Sequence, residues 1–177
     1  MRKLSHLEIL NRQKQKFQDR KLPLNVILND IRSLYNVGSI FRTSDGVGVE
    51  KIWLCGITGY PPNSQIAKTA LGAEERMPWE YRQDVLSVIK ELKEQKYQIV
   101  LLEQMEESSL YQDFCPSSPV CLVIGNEITG IGDSITAYCD EAIEIEMAGM
   151  KNSLNVAVAF GIVAYHFRHY FQRKEFV

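Results

Sequence analysis

The sequence predicts an α/β domain built on a doubly wound, mainly parallel sheet, and three observations support this. Short apolar stretches suited to buried strands alternate with amphipathic segments suited to helices. The 177 residues are enough for one domain with its own hydrophobic core. The sequence contains no internal repeat, no low-complexity segment and no linker rich in Pro, Gly or Ser.

The elements are predicted in chain order, beginning with a helix at Ser5, where Glu8 three positions later completes a capping-box pattern. This helix ends at Leu22-Pro23, so residues 1–22 are expected to form a basic helical extension in front of a domain at 23–177. Strands are predicted at 24–28, 51–55, 97–102, 120–124 and 142–145, with a further extended segment at 77–81. Helices are predicted from Asn36, as N-cap, to about 46, around 65–71, from Asp84 as N-cap, and from about 153 to 170.

The composition is that of an ordinary folded protein, with 45% hydrophobic and 24% charged residues, which excludes disordered and collagen-like chains. The longest apolar stretch, 156–165, is about half of a membrane span. The opening Met1-Arg2-Lys3-Leu4 leads into a polar segment, unlike a signal peptide. We therefore expect a cytoplasmic protein without a membrane segment.

Cysteines and histidines do not form a metal-binding pattern. Cys55, Cys115, Cys121 and Cys139 contain no C-x-x-C pair, and the three histidines do not complete a zinc spacing. We expect no metal site and no disulfide, with the cysteines acting as small buried hydrophobic residues.

The net charge of −2 conceals a strong asymmetry between the ends and the middle of the chain. Residues 1–21 carry seven basic and two acidic side chains, residues 166–177 carry a net +2, and residues 22–165 carry a net −9. On the predicted first helix, Arg12, Lys16 and Arg20 are spaced four apart and share one face. This face fits contact with a polyanion, and it equally fits a solvated helix surface.

Three polar loops are expected at the carboxyl ends of the strands, where open parallel sheets bind ligands. They are residues 29–38, leading to Arg42, residues 125–132, and residues 146–155. The middle loop is rich in glycine but lacks the spacing of a P-loop or a dinucleotide site. Arg42, on a helix expected to be largely covered, and Asn155, which interrupts an apolar helix, both need polar partners, for structural or functional reasons.

Together and in order, three motifs resemble those of the SpoU (TrmH) family in the SPOUT superfamily, which are RNA ribose 2′-O-methyltransferases. They are Asn36-Val37-Gly38 with Arg42, Gly125-Asn126-Glu127 with Gly130, and Ser153-Leu154-Asn155-Val156 with Ala157 and Ala159. The resemblance covers roughly residues 24–170. One departure is Ile145-Glu146-Met147, where the family commonly has Ile-Pro-Met, so a rigid φ is lost and an N–H is restored.

The resemblance implies a deep trefoil knot within residues 120–177 and a homodimer whose active sites lie near the subunit interface. It implies S-adenosylmethionine held by Glu103, Gly125, Asn126, Ile145, Met147, Ser153 and Leu154. It assigns activation of the reacting hydroxyl to Arg42, with help from a substrate phosphate, and supporting roles to Asn36, Glu127, Ser153 and Asn155. A guanidinium stays protonated at working pH, so electrostatic stabilisation of the developing alkoxide is favoured over base catalysis.

The expected substrate is RNA, with tRNA favoured over rRNA because small family members with basic helical ends resemble the tRNA enzymes. Arg12, Lys16, Arg20 and Arg42 are the expected RNA contacts. Two alternatives are a knotted RNA-binding protein without activity and a base methyltransferase. The Asn36…Arg42 pairing favours ribose over base methylation.

Overall fold

A sheet of seven parallel strands forms the centre of the protein, in a computed structural model that describes residues 1–16, 21–117 and 119–174. The strands are β1 (Leu24–Asn29), β2 (Lys51–Cys55), β3 (Trp79–Arg82), β4 (Gln98–Leu102), β5 (Ser109–Leu110), β6 (Val120–Ile124) and β7 (Glu141–Glu144). Their order across the sheet is β3-β2-β1-β6-β4-β7-β5, and every pairing is parallel. The predicted α/β class and its main strands are confirmed.

Helices cover both faces of this sheet. In chain order the helices are α1 (His6–Lys16), which is largely exposed, α2 (Leu34–Val47), α3 (Ser64–Ala70), α4 (Val85–Glu94), α5 (Asp133–Thr136) and α6 (Val156–Lys174), with a 3₁₀ turn at Ala73–Glu75. Among them, α2 and α6 pack on one face of the sheet and α4 on the other. Along β1, Leu24, Val26 and Leu28 pack into the core on the side of α2 and α6, whereas Ile27 packs into the core on the side of α4. Both faces of the strand are therefore buried, which explains its mainly apolar sequence, and the buried Asn25 accepts a hydrogen bond from the Trp53 indole N–H at 2.9 Å.

The capping box at the start of α1 is confirmed by its two reciprocal hydrogen bonds. The Ser5 N–H donates to Glu8 Oε2 at 2.8 Å, and the Glu8 N–H donates to Ser5 Oγ at 3.3 Å. The predicted end of this helix at residue 22 is wrong, because residues 21 and 22 are not helical. Residues 17–20 lie outside the described residues.

Two predicted helix starts differ from the structure, since Asn36 is not the N-cap of α2 and α6 begins three residues after the expected start near 153. Ser33 is the N-cap of α2, and its side chain accepts from the Asn36 N–H at 3.3 Å, so Asn36 lies in the first turn. Asn155 precedes α6 instead of interrupting it, because its Oδ1 accepts from the N–H groups of Ala157 and Val158 at 2.9 and 3.3 Å. Each asparagine is thereby placed at the edge of a loop. The sequence pattern also missed β5 and α5, which are too short to show periodicity.

The cysteines lie in different environments. Cys55 and Cys121 are buried and Cys139 is half-buried, but Cys115 is exposed, so the expectation of burial is wrong for that residue. Burial raises the pKa of the Cys55 and Cys139 thiols to about 12. Within the described ranges, no group of three His, Cys, Asp or Glu is placed to hold a metal ion. None of the described helices is both long and apolar enough to cross a membrane.

Gly38 allows α2 to lie directly against α3. A Cβ at this position would lie 2.2 Å from Thr69 Oγ1 and 2.3 Å from the Ile66 carbonyl oxygen. Thr69 cannot easily move away, since its hydroxyl donates to the Tyr35 carbonyl at 2.9 Å. The glycine of the first motif therefore has a packing role.

We expect Gly38→Ala to lower the free energy of unfolding by about 1–3 kcal/mol, the usual cost of overpacking a well-packed contact. Urea unfolding measures this directly. Gly132→Ala is the matched control, because nothing lies within 4 Å of a Cβ there and φ is −74°. A Gly38→Ala protein as stable as the unmodified protein would contradict this account of the helix contact.

Candidate functional site at the carboxyl edge of the sheet

A cleft of about 810 Å³ opens where four adjacent strands end. Its walls come from the segments that follow β1, β6, β4 and β7, together with the loop before α6. Of the sequence-predicted site residues, those that line the cleft are Asn36, Glu103, Gly125, Asn126, Glu127, Ile145, Met147, Ser153, Leu154 and Asn155. The fold thus brings together residues from all three motifs.

Arg42 is the predicted catalytic residue that the single chain does not bring to the cleft. It lies six residues beyond Asn36, about one and two-thirds helical turns along α2. Its side chain is exposed, although α2 itself buries Val37, Ile40 and Phe41. Tyr35, Ser39 and Arg42 are spaced four and three apart, which puts them on one side of α2.

Glu127 is the centre of the hydrogen bonding at one end of the cleft. Its Oε2 accepts from the Arg32 N–H at 3.0 Å, and its Oε1 accepts from the Ser33 N–H at 3.1 Å. Asn36 Nδ2 also donates to Oε1, at 3.0 Å. A carboxylate at the start of a helix satisfies N–H groups that the helix cannot use and complements the helix dipole.

The pKa of Glu127 reflects this environment. Partial burial acts to raise the pKa, but the hydrogen bonds from the Arg32 N–H, the Asn36 amide and the Ser33 N–H together hold it below its usual value. Glu127 is therefore a carboxylate at neutral pH. It acts as an acceptor in this network and has no proton to donate.

Asn36 connects Glu127 to the loop before α6. While its Nδ2 donates to Glu127, its Oδ1 accepts from Asn155 Nδ2 at 3.0 Å, across 119 positions of sequence. Asn155 in turn caps α6. We call Glu127, Asn36 and Asn155 the three-residue relay. It joins the three polar loops by side-chain hydrogen bonds.

The glycine-rich loop is held by Asn126. Its backbone pairs with that of Gly130 in both directions, at 3.1 and 3.0 Å, and its Oδ1 accepts from the Ile128 and Thr129 N–H groups. Its Nδ2 donates to the Asp30 carbonyl at 2.8 Å. The Asn126 side chain is thus used inside the protein, which leaves backbone groups of this loop for a ligand.

Glycine is required twice in this loop. A Cβ at Gly125 would lie 2.5 Å from Ile131 Cγ1, and one at Gly130 would lie 2.5 Å from Glu103 Oε2. Gly130 also has a φ of +65°, in the left-handed region that favours glycine. The loop therefore turns tightly and places its backbone close to the cleft.

The far end of the cleft, at β4 and β7, is more apolar. Leu102, Ile145 and Leu154 line it, with Glu103 at the end of β4. Gln104 Nε2 donates to the Asn152 carbonyl at 2.8 Å and so ties the loop after β4 to the loop before α6. Gln104 and Asn152 line the cleft but were missed, since no local pattern distinguishes them in the sequence.

Arg32 also lines the cleft, and sequence reasoning did not single it out beyond its presence in the first polar loop. Of the predicted RNA contacts on the first helix, Arg12 is exposed. Nothing is described of the Lys16 side chain, and Arg20 lies outside the described residues. Those two predictions are therefore not tested.

Comparisons with known proteins agree with the motifs. The model of the family described as SpoU rRNA Methylase matches residues 23–165. The chain is 31% identical, over 170 residues, to a protein of Aquifex aeolicus named tRNA (guanosine(18)-2′-O)-methyltransferase, covering 94% of this chain and 77% of that one. It is 33% identical to the 23S rRNA (guanosine-2′-O-)-methyltransferase RlmB of Neisseria meningitidis, covering 80% of this chain and 56% of that one.

The fold is similar to solved structures as well. An AdoMet-bound rRNA methyltransferase from Sinorhizobium meliloti superimposes with a TM-score of 0.79 and 26% identity, covering 88% of this chain and 59% of that chain. The chain spans about 60% or less of the length of several curated relatives that it matches.

Proposed function

Because the chain belongs to the SpoU rRNA methylase family, we propose that it transfers a methyl group from S-adenosylmethionine to a ribose 2′-hydroxyl of RNA. The observation that carries this proposal is the three-residue relay, which joins all three motifs around one cleft. The names of the matched relatives, which include tRNA and rRNA 2′-O-methyltransferases, support the same reaction.

The cleft fits S-adenosylmethionine in size and chemistry. Its volume of about 810 Å³ lies within the range of small-molecule sites. Leu102, Ile145 and Leu154 offer apolar walls, and Met147 and Ser153 line the same space. The cofactor supplies an electrophilic methyl group on a sulfonium. The backbone of Gly125, together with Glu103, would hold its polar atoms, and Asn126, which binds Gly130 through its backbone, would shape the loop around them.

Methyl transfer requires a ribose hydroxyl held in line with the methyl group and made more nucleophilic. Asn36, Glu127, Ser153 and Asn155 line the cleft and would position the ribose. The protonated guanidinium of Arg42 would stabilise the developing alkoxide. Since Arg42 lies outside the cleft of its own chain, we propose that it serves the cleft of a second copy.

The exposed apolar side of α2 and α6 supports a homodimer. Val158 and Tyr165 of α6 are 52% and 53% exposed, and Tyr35 of α2 is 48% exposed. Arg42 shares the Tyr35 side of α2. Exposed apolar surface of this kind is typical of a subunit interface. A two-fold dimer through this surface would bring Arg42 close to the partner's cleft.

We expect the protein to be dimeric at micromolar concentration in light scattering. Tyr165→Arg should shift the mass to that of a monomer, because a charge would lie in the interface. Glu94→Arg, at an exposed position of α4 on the opposite face of the sheet from α2 and α6, should leave the mass unchanged. A monomeric mass for the unmodified protein would contradict the proposal.

We also propose the trefoil knot within residues 120–177. The strand order supports it, since β6 enters the sheet between β1 and β4, β7 then pairs on the other side of β4, and α6 returns to pack against α2. A basic helical extension at 1–22 in front of a catalytic domain at 23–177 completes the proposed organisation. We place the reaction in the cytoplasm, with tRNA favoured over rRNA.

Cofactor binding and the RNA target are tested separately. Calorimetry should show S-adenosylhomocysteine binding in the micromolar range, about 8 kcal/mol. The absence of binding at millimolar ligand would favour the alternative of an RNA-binding protein without activity. Mapping of 2′-O-methyl groups on total RNA, with and without the gene, identifies the substrate. A methyl group missing from rRNA alone would overturn the preference for tRNA.

The basic extension is expected to hold the RNA. Replacing Arg12, Lys16 and Arg20 with serine should weaken RNA binding and lower the log–log salt slope by about two to three units, roughly one for each phosphate that the variant no longer neutralises. Filter binding of bulk tRNA at several salt concentrations measures the slope, and the affinity for S-adenosylhomocysteine should not change. An unchanged slope would mean that these residues only form a solvated surface.

A further inference from the structure

Among the described residues that line the cleft, Arg32 is the only one with a positively charged side chain. The carboxylates in the same lining are Glu103, Glu127 and Glu144. Because the middle of the chain also carries a net −9, an RNA phosphate that approaches the cleft meets a mostly negative surface. A single guanidinium at this place has a large influence on where a phosphate can bind.

The Arg32 guanidinium is available to a ligand. It is exposed, and across residues 1–16, 21–117 and 119–174 it makes no hydrogen bond, ion pair or ring contact. Other arginines are engaged, such as Arg2, which pairs with Glu8 at 2.6 Å. The backbone of Arg32 is nevertheless held in place, since its N–H donates to Glu127 Oε2 at 3.0 Å.

Its location in the cleft indicates which ligand it contacts. Arg32 follows β1, whereas the apolar wall follows β4 and β7. Three strand spacings separate β1 from β7, roughly 14 Å. Arg32 therefore lies at the end that contains the three-residue relay, where the ribose is proposed to bind, and away from the apolar end that suits the cofactor.

We infer that Arg32 binds a phosphate of the RNA backbone next to the target ribose and so fixes the position of the target nucleotide. A guanidinium can donate two parallel hydrogen bonds to a phosphate, which fixes orientation as well as distance. This inference rests on the proposed function. It concerns a side chain outside the three motifs, and the role given to Arg42 is separate.

The test compares Arg32→Ala with Arg76→Ala, an exposed arginine that does not line the cleft. Arg32→Ala should lower the log–log salt slope of RNA binding by about one unit and raise the KM for RNA roughly 10-fold. The affinity for S-adenosylhomocysteine and the melting temperature should not change, because the side chain has no partner among the described residues. Arg32→Lys should restore the salt slope but only part of the KM, since an ammonium lacks the fork of donors.

Three results would overturn the inference. They are an unchanged slope and KM in Arg32→Ala, equal effects in Arg76→Ala, or a loss of S-adenosylhomocysteine affinity, which would assign Arg32 to the cofactor carboxylate. The salt slope is measured without turnover. If the unmodified protein binds RNA but transfers no methyl group, the proposed function fails while the slope still tests the phosphate contact.

Discussion

Replacing Arg42 with alanine should lower the rate of methyl transfer at least about 100-fold, roughly 3 kcal/mol, as expected when an electrostatic interaction made in the transition state is removed. The affinity for S-adenosylhomocysteine should barely change, because the proposed contact of Arg42 is with the reacting hydroxyl of the RNA and not with the cofactor. Single-turnover transfer of a labelled methyl group to the RNA substrate measures the effect. Lysine should restore only part of the rate, since it lacks the planar fork of donors.

A mixed dimer tests whether Arg42 acts on the partner's cleft. Dimers of Arg42→Ala alone and of Asn36→Ala alone should both be nearly inactive. A heterodimer of the two variants contains one cleft with an intact Asn36 that faces an intact Arg42 of the other subunit, so it should recover up to half of the normal activity. A heterodimer as inactive as its parents would place Arg42 in the cleft of its own chain, and a near-normal rate for Arg42→Ala would remove it from the mechanism.

The second large effect is expected for Asn36→Asp, which changes one atom of the three-residue relay. Asn36 Nδ2 donates to Glu127 Oε1 at 3.0 Å, so aspartate would put two carboxylates in contact. Two carboxylates whose charge centres lie about 4 Å apart repel by about 1–4 kcal/mol near a protein surface. We expect the free energy of unfolding to fall by about that amount, and the rate of methyl transfer to fall by roughly 10- to 100-fold.

The loss of stability in Asn36→Asp should depend on pH and should be smaller at low pH. Repulsion raises the pKa of the carboxylate pair in the folded variant above its value in the unfolded chain. The folded variant therefore takes up protons more readily, and its stability deficit, present at neutral pH, is lost as the pH falls through the raised pKa. Urea unfolding of both proteins between pH 7 and pH 5 measures the difference.

Two further variants separate repulsion from the loss of a hydrogen bond. Asn36→Ala removes both hydrogen bonds of the residue without adding a charge, so its stability deficit should not depend on pH in this range. Combining Asn36→Asp with Glu127→Gln restores an N–H donor between the two side chains and should recover part of the stability. If Asn36→Asp is as stable as the unmodified protein at neutral pH, the contact between Asn36 and Glu127 does not form in solution.

Much of the fold could be predicted because the pattern of apolar residues along a segment indicates which of its faces are buried. Five of the seven strands are apolar or partly apolar runs that the sequence predicts to within a few residues, since a strand covered on both faces needs an apolar residue at nearly every position. Asp84 is correctly predicted as the cap of α4, because its Oδ1 accepts from the Leu86 N–H. The three polar motifs and their order along the chain could likewise be identified from the sequence alone.

The errors arose where neighbouring residues compete for the same role. Ser33 and Asn36 are both good capping residues, and the sequence does not say which of them reaches a free N–H group first. At the last helix, Asn155 is a polar residue before an apolar run, which fits either an interruption of the helix or its cap, and the structure shows that it caps α6. Capping depends on the direction in which the chain enters the helix, and the packing of the whole domain sets this direction.

The sequence by itself determined the α/β class, the strands and the residues that make up the three motifs. Only the tertiary structure decided which of these residues meet. Asn36 contacts Glu127 and Asn155, which lie 91 and 119 positions away, because β6 enters the sheet beside β1 and α6 returns to α2. The tertiary structure also places Arg32 in the cleft and Arg42 outside it. A local sequence pattern indicates whether a residue is buried. The partners of that residue depend on the strand order and the helix direction, and the pattern within a single segment does not predict either of these.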